Sequence, residues 1–279
     1  MEFAFPARFA ERYLPDDAFA EAYDTLAPEE RAQIKTAITR NIAVQTACAC
    51  PETGASVSRK TMRQGFVIHE ETRAADWAAV FWDASYTGWT RILAALLPAV
   101  LAGVPNILAC QIDSGQADSG RAVVPPAVLA AMELAGQETV AVMASEEALA
   151  FLEECAAQNA AGRVVLLGED TALDDMAAAA ARLGVSSRRY AKPLRIAAEV
   201  GLNASVLQFA HPDVAFLPHD EMYAPFSAVF CEEEFLESHA GRAPLVLTPG
   251  QEAFWVWDDL AVAFYQERTR ALAARPLRM

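Results

Sequence analysis

Between Ala78 and Gly168, short apolar runs alternate with amphipathic stretches of helical length. Ala78-Ala-Val-Phe-Trp82 predicts a buried strand, Trp89 to Ala102 a helix closed by Gly103, and Asn106 to Cys110 the next strand. A helix over Pro126–Ala135, closed by Gly136, leads to a strand over Thr139–Met143. A further helix from Ser145 to about Gln158 leads to Arg163-Val-Val-Leu-Leu-Gly168. Continuous apolar strands separated by helices of about ten to fifteen residues predict an α/β fold, its parallel sheet buried on both faces. Such a sheet gathers its loops at the carboxyl ends of its strands, where ligands of open α/β folds bind.

The flanking segments follow other patterns. Pro15-Asp-Asp17 starts a helix ending near Leu26, and Pro28-Glu-Glu30 starts another that runs to Val44, with proline and acids in each first turn. Cys48 to Gly54 reads as a turn. Alternation over Ser56–Met62 and Gly65–Thr72 predicts a β-hairpin across Arg63-Gln64. Residues 1–77 are therefore expected to form N-terminal helices and a hairpin packed on an α/β core of residues 78–279. The second half of that core is less regular. A helix from Thr171 to Leu183 ends at Gly184, and Lys192–Val200 suggests a short one. Apolar runs recur at Ser205–Phe209, Val214–Leu217, Ala228–Phe230, Leu245–Leu247 and Phe254–Trp257, and a last helix is expected from Asp258 to about Ala274.

Composition narrows the function. At 279 residues and 54% hydrophobic, the chain can bury a sizeable core. The net charge of −15 argues against a nucleic-acid partner, which needs clustered Lys and Arg, and only Lys35 and Lys60 precede Lys192. The longest apolar stretch, Ile92 to Pro105, is shorter than the roughly twenty residues of a membrane span. The start, Met1-Glu-Phe-Ala-Phe-Pro6, lacks the pattern of a secretory signal. Five cysteines at irregular spacing make no disulfide framework, so a cytoplasmic setting is expected.

Several residues carry candidate chemistry. In the turn from Asp83 to Gly88, the hydroxyls of Ser85 and Tyr86 and the free N–H groups of a helix start could hold a phosphate or carboxylate. Arg91 would add positive charge, whereas Asp83 would repel an anion; an ordinary N-cap and turn is the competing reading. Asp113, Gly168 and Glu169 would sit at carboxyl ends of neighbouring strands, where acids accept ribose hydroxyls in nicotinamide enzymes; helix-start roles compete. The polar loop from Asp113 to Val124 is a lid or a surface excursion. His211 and His219, each followed by acids, are the candidates for acid–base catalysis, but eight extended residues would hold them about 25 Å apart. His69 reads as a surface residue. Cys110 and Cys155 read as small core hydrophobes, and the acids after Cys231 would raise its pKa. Cys48 and Cys50 supply only two ligands, and no metal site is expected.

The stretch Tyr86-Thr-Gly-Trp-Thr-Arg-Ile-Leu-Ala-Ala-Leu-Leu-Pro98-Ala-Val-Leu-Ala-Gly103-Val-Pro-Asn-Ile107 resembles histidinol dehydrogenase, and the likeness continues through Pro126–Gly136 and Val140–Leu152. The resemblance spans about residues 78–168. It implies a Rossmann-like member of the aldehyde-dehydrogenase-like group, divergent and shortened, with helices on both faces of the sheet. It also implies a homodimer, with Trp255 and Trp257 offered to the second copy. The departures bear on activity. Leu167-Gly168-Glu169-Asp170 replaces the family's Gly-Pro-Gly-Asn turn. Gln208 and His211 have the spacing of its zinc-ligand pair, but on an expected strand end and without the acidic context. The later Glu-His pair and the Gly-Gln-x-Cys motif of aldehyde dehydrogenases are absent. The resemblance thus implies a divergent protein that binds a nucleotide or small metabolite at the strand ends. The alternative is an oxidoreductase using NAD or NADP on a small alcohol or aldehyde.

Overall fold

The computed structural model describes residues 3–48, 55–113, 123–191, 194–199, 201–217 and 226–274. The N-terminal helices are α1 (Asp16–Thr25) and α2 (Pro28–Cys48), followed by a hairpin of β1 (Ser56–Thr61) and β2 (Phe66–Ala74). The core runs β3 (Trp77–Asp83), α3 (Trp89–Ala102), β4 (Ile107–Asp113), α4 (Pro126–Leu134), β5 (Val140–Ala144) and α5 (Ser145–Ala157). It continues through β6 (Gly162–Leu167), α6 (Thr171–Arg182) and β7 (Ser186–Tyr190). Next come β8 (Ile196–Ala198), α7 (Ala204–Ala210), β9 (Phe216–Leu217), β10 (Ala228–Phe230), α8 (Leu236–His239), β11 (Val246–Leu247) and β12 (Gln266–Ala274).

The expected parallel sheet is present, with strand order β5-β4-β3-β6-β7 and every pairing parallel. β3 lies at its centre and is buried along its whole length, as its unbroken apolar sequence requires. One face of β3, through Ala78, Val80 and Trp82, packs with α3, α4 and the N-terminal helices. The other, through Trp77, Ala79 and Phe81, packs with α5 and α6, where Phe151 meets Phe5, Phe9 and Phe81 edge-on or tilted. The order runs one way from β3 to β5 and the other way from β6 to β7. The topological switch point of this doubly wound sheet is thus the gap between the carboxyl ends of β3 and β6.

A second parallel sheet, in order β11-β10-β8-β9, is built from the less regular half. A third, antiparallel sheet joins the hairpin to the end of the chain in order β1-β2-β12. Three expectations are corrected here. The segment expected to close the chain as a helix is a 3-10 turn over Val262–Tyr265 followed by β12, paired with β2 along nine residues. Ser205–Phe209 is helical, not extended, because Asn203 caps α7 by accepting from the Val206 N–H at 3.2 Å. Within Lys192–Val200 the described structure is strand β8, not a helix.

No described helix is long and apolar enough to cross a membrane.

Candidate functional site

The switch point is closed by one carboxylate. Asp83, the last residue of β3, accepts from the Ser85 N–H at 2.9 Å and the Ser85 hydroxyl at 2.5 Å through Oδ1. Its Oδ2 accepts from the N–H of Glu169 at 2.5 Å and of Asp170 at 3.1 Å. Those two amides open the turn into α6, where a bound phosphate would be expected to sit. Gly168 has φ +125°, and a Cβ there would overlap Asp83 Oδ2, so only glycine fits. Asp170 caps α6 by accepting from the Ala172 N–H at 2.9 Å. A phosphate brought to the same amides would lie about 4 Å from the Asp83 carboxylate. At an effective dielectric near 20 that repulsion is about 4 kcal/mol.

The start of α3 is covered by the second half of the chain. Trp89 donates its indole N–H to the Phe209 carbonyl at 3.0 Å, and Thr90 its hydroxyl to the Ala210 carbonyl at 3.2 Å. Arg91 pairs with Asp213, both side chains being almost wholly buried. The Arg91 guanidinium also lies 4.6 Å from the Tyr86 ring centroid and 6.0 Å from that of Trp255. Gly88 makes room for it, since a Cβ there would overlap the guanidinium. Trp257 donates its indole N–H to the Arg91 carbonyl at 3.0 Å. Burial pushes the Tyr86 hydroxyl up, against a smaller lowering by Arg91.

The structure therefore brings Ser85, Tyr86, Gly88, Arg91, Gly168 and Glu169 to one edge of the sheet. Asp113 ends β4 on the same edge, half-buried. His211 caps the end of α7, which corrects its expected place on a strand end. It is fully buried, with Nδ1 3.3 Å from the Thr90 hydroxyl and its ring against Phe230 and Trp255. Desolvation, followed by the Arg91 charge, holds its pKa well below 6.5, so the ring is neutral at neutral pH. His219 and the loop 114–122 lie outside the described residues, as does most of the Cys48–Gly54 turn. His69 is exposed on β2. Cys110, Cys155 and Cys231 are free and buried, and burial raises each thiol's pKa. Among the described residues, no group of three or more His, Cys, Asp or Glu could hold a metal ion.

An open cleft of about 540 Å³ lies beside this covered edge. Its walls are Tyr190 and Ala191 at the carboxyl end of β7, Trp255 to Asp259, and the segments that lead into β8, β10 and β11. The Tyr190 and Trp257 rings are 4.2 Å apart between centroids. Tyr190 donates its hydroxyl to Asp259, whose other oxygen accepts from Arg188 Nε at 3.1 Å. The sequence signal for this site was the aromatic run Phe254–Trp257 followed directly by Asp258 and Asp259. That run read there as packing and as a dimer contact. Trp255 and Trp257 are packed within the chain, 2% and 8% exposed, as the packing reading expected.

No protein-family model matches the sequence, and no curated protein matches it either. Solved structures do. Histidinol dehydrogenase from Elizabethkingia anophelis superposes with a TM-score of 0.62 at 12% identity, over 95% of this chain and 77% of that one. An indole-3-acetaldehyde dehydrogenase aligns with a TM-score of 0.44 at 12% identity, over 92% and 84% of the two chains. Lactaldehyde dehydrogenase from Escherichia coli aligns at 0.40 and 11% identity, over 81% of this chain and 48% of its own length. The chain thus has the α/β fold of that histidinol dehydrogenase structure and spans 77% of its length.

Proposed function

We propose that this chain is a divergent histidinol dehydrogenase-like protein that binds a small molecule in the cleft beside Tyr190 and Trp257, and that it does not hold a dinucleotide at its switch point. The observation that carries this reading is Asp83, whose carboxylate already occupies the amides of Glu169 and Asp170. A nucleotide phosphate would have to displace it. The cleft has the size and aromatic lining of small-molecule sites and lies where the carboxyl end of β7 meets the segments leading into β8, β10 and β11. Free, buried thiols accord with a reducing cytoplasm.

The alternative is an NAD- or NADP-dependent oxidoreductase acting on a small alcohol or aldehyde. The fold shared with histidinol dehydrogenase favours it, as does the convergence of Ser85, Tyr86, Gly88, Arg91 and His211. It needs the 209–213 segment to lift from α3.

A homodimer belongs to the proposal. The β1-β2-β12 sheet leaves Val57 75% and Leu272 65% exposed and, among the described residues, has two unpaired edges, a surface that favours pairing.

Calorimetric titration decides between the readings. NAD and NADP are expected to give no heat, and neutral 1-naphthylmethanol is expected to bind, with binding lost in Ala191→Phe, which fills the cleft mouth. Saturable dinucleotide binding, removed by Arg91→Met, would establish the alternative.

A further inference from the structure

A smaller cleft of about 400 Å³ opens at the other end of the first sheet, where the chain enters β3, β4 and β6. Asp76 and Asn106 immediately precede β3 and β4, while Gln158 and Asn159 join α5 to β6; all four line it. Phe3, stacked on Trp77 at 5.8 Å between centroids, forms an apolar wall.

The polar lining is rich in acceptors. Asn106 donates from Nδ2 to the Asp76 carbonyl at 3.0 Å, and Gln158 from Nε2 to the Ala4 carbonyl at 2.9 Å. These bonds orient both amides and leave Asn106 Oδ1 and Gln158 Oε1 without a hydrogen bond among the described residues. Each oxygen can accept two. Asp76 adds a carboxylate, which accepts from Arg73 Nη1 at 3.0 Å and the Ala161 N–H at 2.7 Å. The carboxyl end of α5, the negative end of its dipole, lies here too. This field suits a donor-rich cation and opposes an anion. Arg73, half-exposed, already sets one guanidinium on the carboxylate.

Asn159 is an independent sign. The left-handed residue that closes α3, α4 and α6 is a glycine in each case, Gly103, Gly136 and Gly184. At α5 it is Asn159, with φ +55°, the one described residue other than glycine with positive φ. Asparagine tolerates this backbone, but glycine adopts it without the steric cost. The side chain placed there lines the cleft, and its amide makes no hydrogen bond among the described residues.

We infer that this cleft binds a compact, planar cation of the amidinium or guanidinium class. Its N–H groups reach the oxygens of Asn106, Gln158 and Asn159, and its charge takes Asp76 in place of Arg73. Its apolar part lies beside Phe3. The inference does not rest on the cleft at β7 and involves no covalent step.

Benzamidine, neutral benzamide and anionic benzoate, titrated calorimetrically into the full chain at pH 7.5, test it. Benzamidine is expected to bind, benzamide about tenfold more weakly for want of charge-assisted hydrogen bonds, and benzoate without measurable heat. Asn159→Gly keeps the backbone and removes the amide, so affinity should fall about fivefold with the urea midpoint unchanged or raised. Arg73→Gln frees the Asp76 carboxylate and should tighten binding roughly two- to fivefold, a gain that a misfolded protein would not show. Ala191→Phe, at the other cleft, should change nothing. Loss of benzamidine binding in Ala191→Phe would put the probe at β7 and overturn the inference. So would a native protein that binds no benzamidine, equal affinity for benzamide, or an affinity that Asn159→Gly or Arg73→Gln leaves unmoved.

Discussion

The Asp83 carboxylate lies against Gly168 and spans the carboxyl ends of β3 and β6, so the chain supplies its own anion at the start of α6. Two substitutions read this contact. Gly168→Ala forces a Cβ into Asp83 at φ +125°, and an unfavourable backbone of this kind alone costs on the order of 1–3 kcal/mol. Urea unfolding should show a loss at or above the top of that range, and an unchanged midpoint would contradict the geometry.

Asp83→Ala separates the carboxylate from the amides. It leaves the N–H groups of Glu169 and Asp170 without their acceptor, a loss of about 1–3 kcal/mol. The emptied position is then a helix-start anion site. Inorganic phosphate should raise the melting temperature of the variant and leave the native protein unchanged at matched ionic strength. Equal shifts in both proteins would mean that Asp83 does not occupy an anion site.

The buried pair Arg91–Asp213 pins the second half of the chain onto α3. Asp213→Ala leaves a buried guanidinium without its carboxylate, for which breaking one partner of such a pair costs about 3–5 kcal/mol. Replacing both, Arg91→Met with Asp213→Leu, removes the stranded charge and should recover much of that loss. Denaturant midpoints of the three proteins measure the coupling. A double variant less stable than Asp213→Ala would show that the residues do not act as a pair.

These contacts also show where the sequence was legible. From Trp77 to Arg182 each strand and helix lies within a few residues of its expected place, because unbroken apolar runs and helix-closing glycines encode a strand buried on both sides and its crossovers. Tyr86, Gly88 and Arg91 were legible as one turn. Their covering by Phe209, Ala210 and Asp213 was not, since those contacts join residues about 120 apart in the chain. The misread end is instructive. Gln266 to Ala274 is rich in helix formers, yet it is a strand because Arg268 and Arg270 meet Glu70 across β2 at 2.5–2.8 Å. Those hydrogen bonds, Arg270 first, hold Glu70 down to about 2. Pairing here overrides local preference. At α7 the signal was present in Asn203 as an N-cap, but the apolar run after it suggested a strand.

The antiparallel sheet yields an assembly prediction. Leu272 faces outward beside its partner Ile68, and it is 65% exposed in the single chain. If this sheet forms the homodimer, sizing with light scattering should give twice the chain mass for the native protein and the chain mass for Leu272→Asp. The variant should keep its melting temperature at high dilution, where both proteins are monomeric. A native protein that elutes as a monomer at micromolar concentration rejects the dimer.

His211 sets a pH dependence of known sign. Its folded-state pKa lies well below the 6.5 of the unfolded chain, because burial and then the Arg91 charge disfavour the imidazolium. Below pH 6.5 the unfolded chain binds a proton that the folded one does not. The stability due to the neutral ring is therefore fully present above pH 6.5 and declines as pH falls, by up to about 1.4 kcal/mol per unit until the folded pKa is reached. Glu70 acts in a separate window, since its contribution is lost only as pH falls below 4.5 towards 2. Urea midpoints between pH 7.5 and 5 should thus isolate the histidine. His211→Phe, which fills the same aromatic pocket beside Phe230 and Trp255, should flatten the profile there. An unchanged slope in the variant would mean that another group gains the proton and that His211 is not held neutral in the fold.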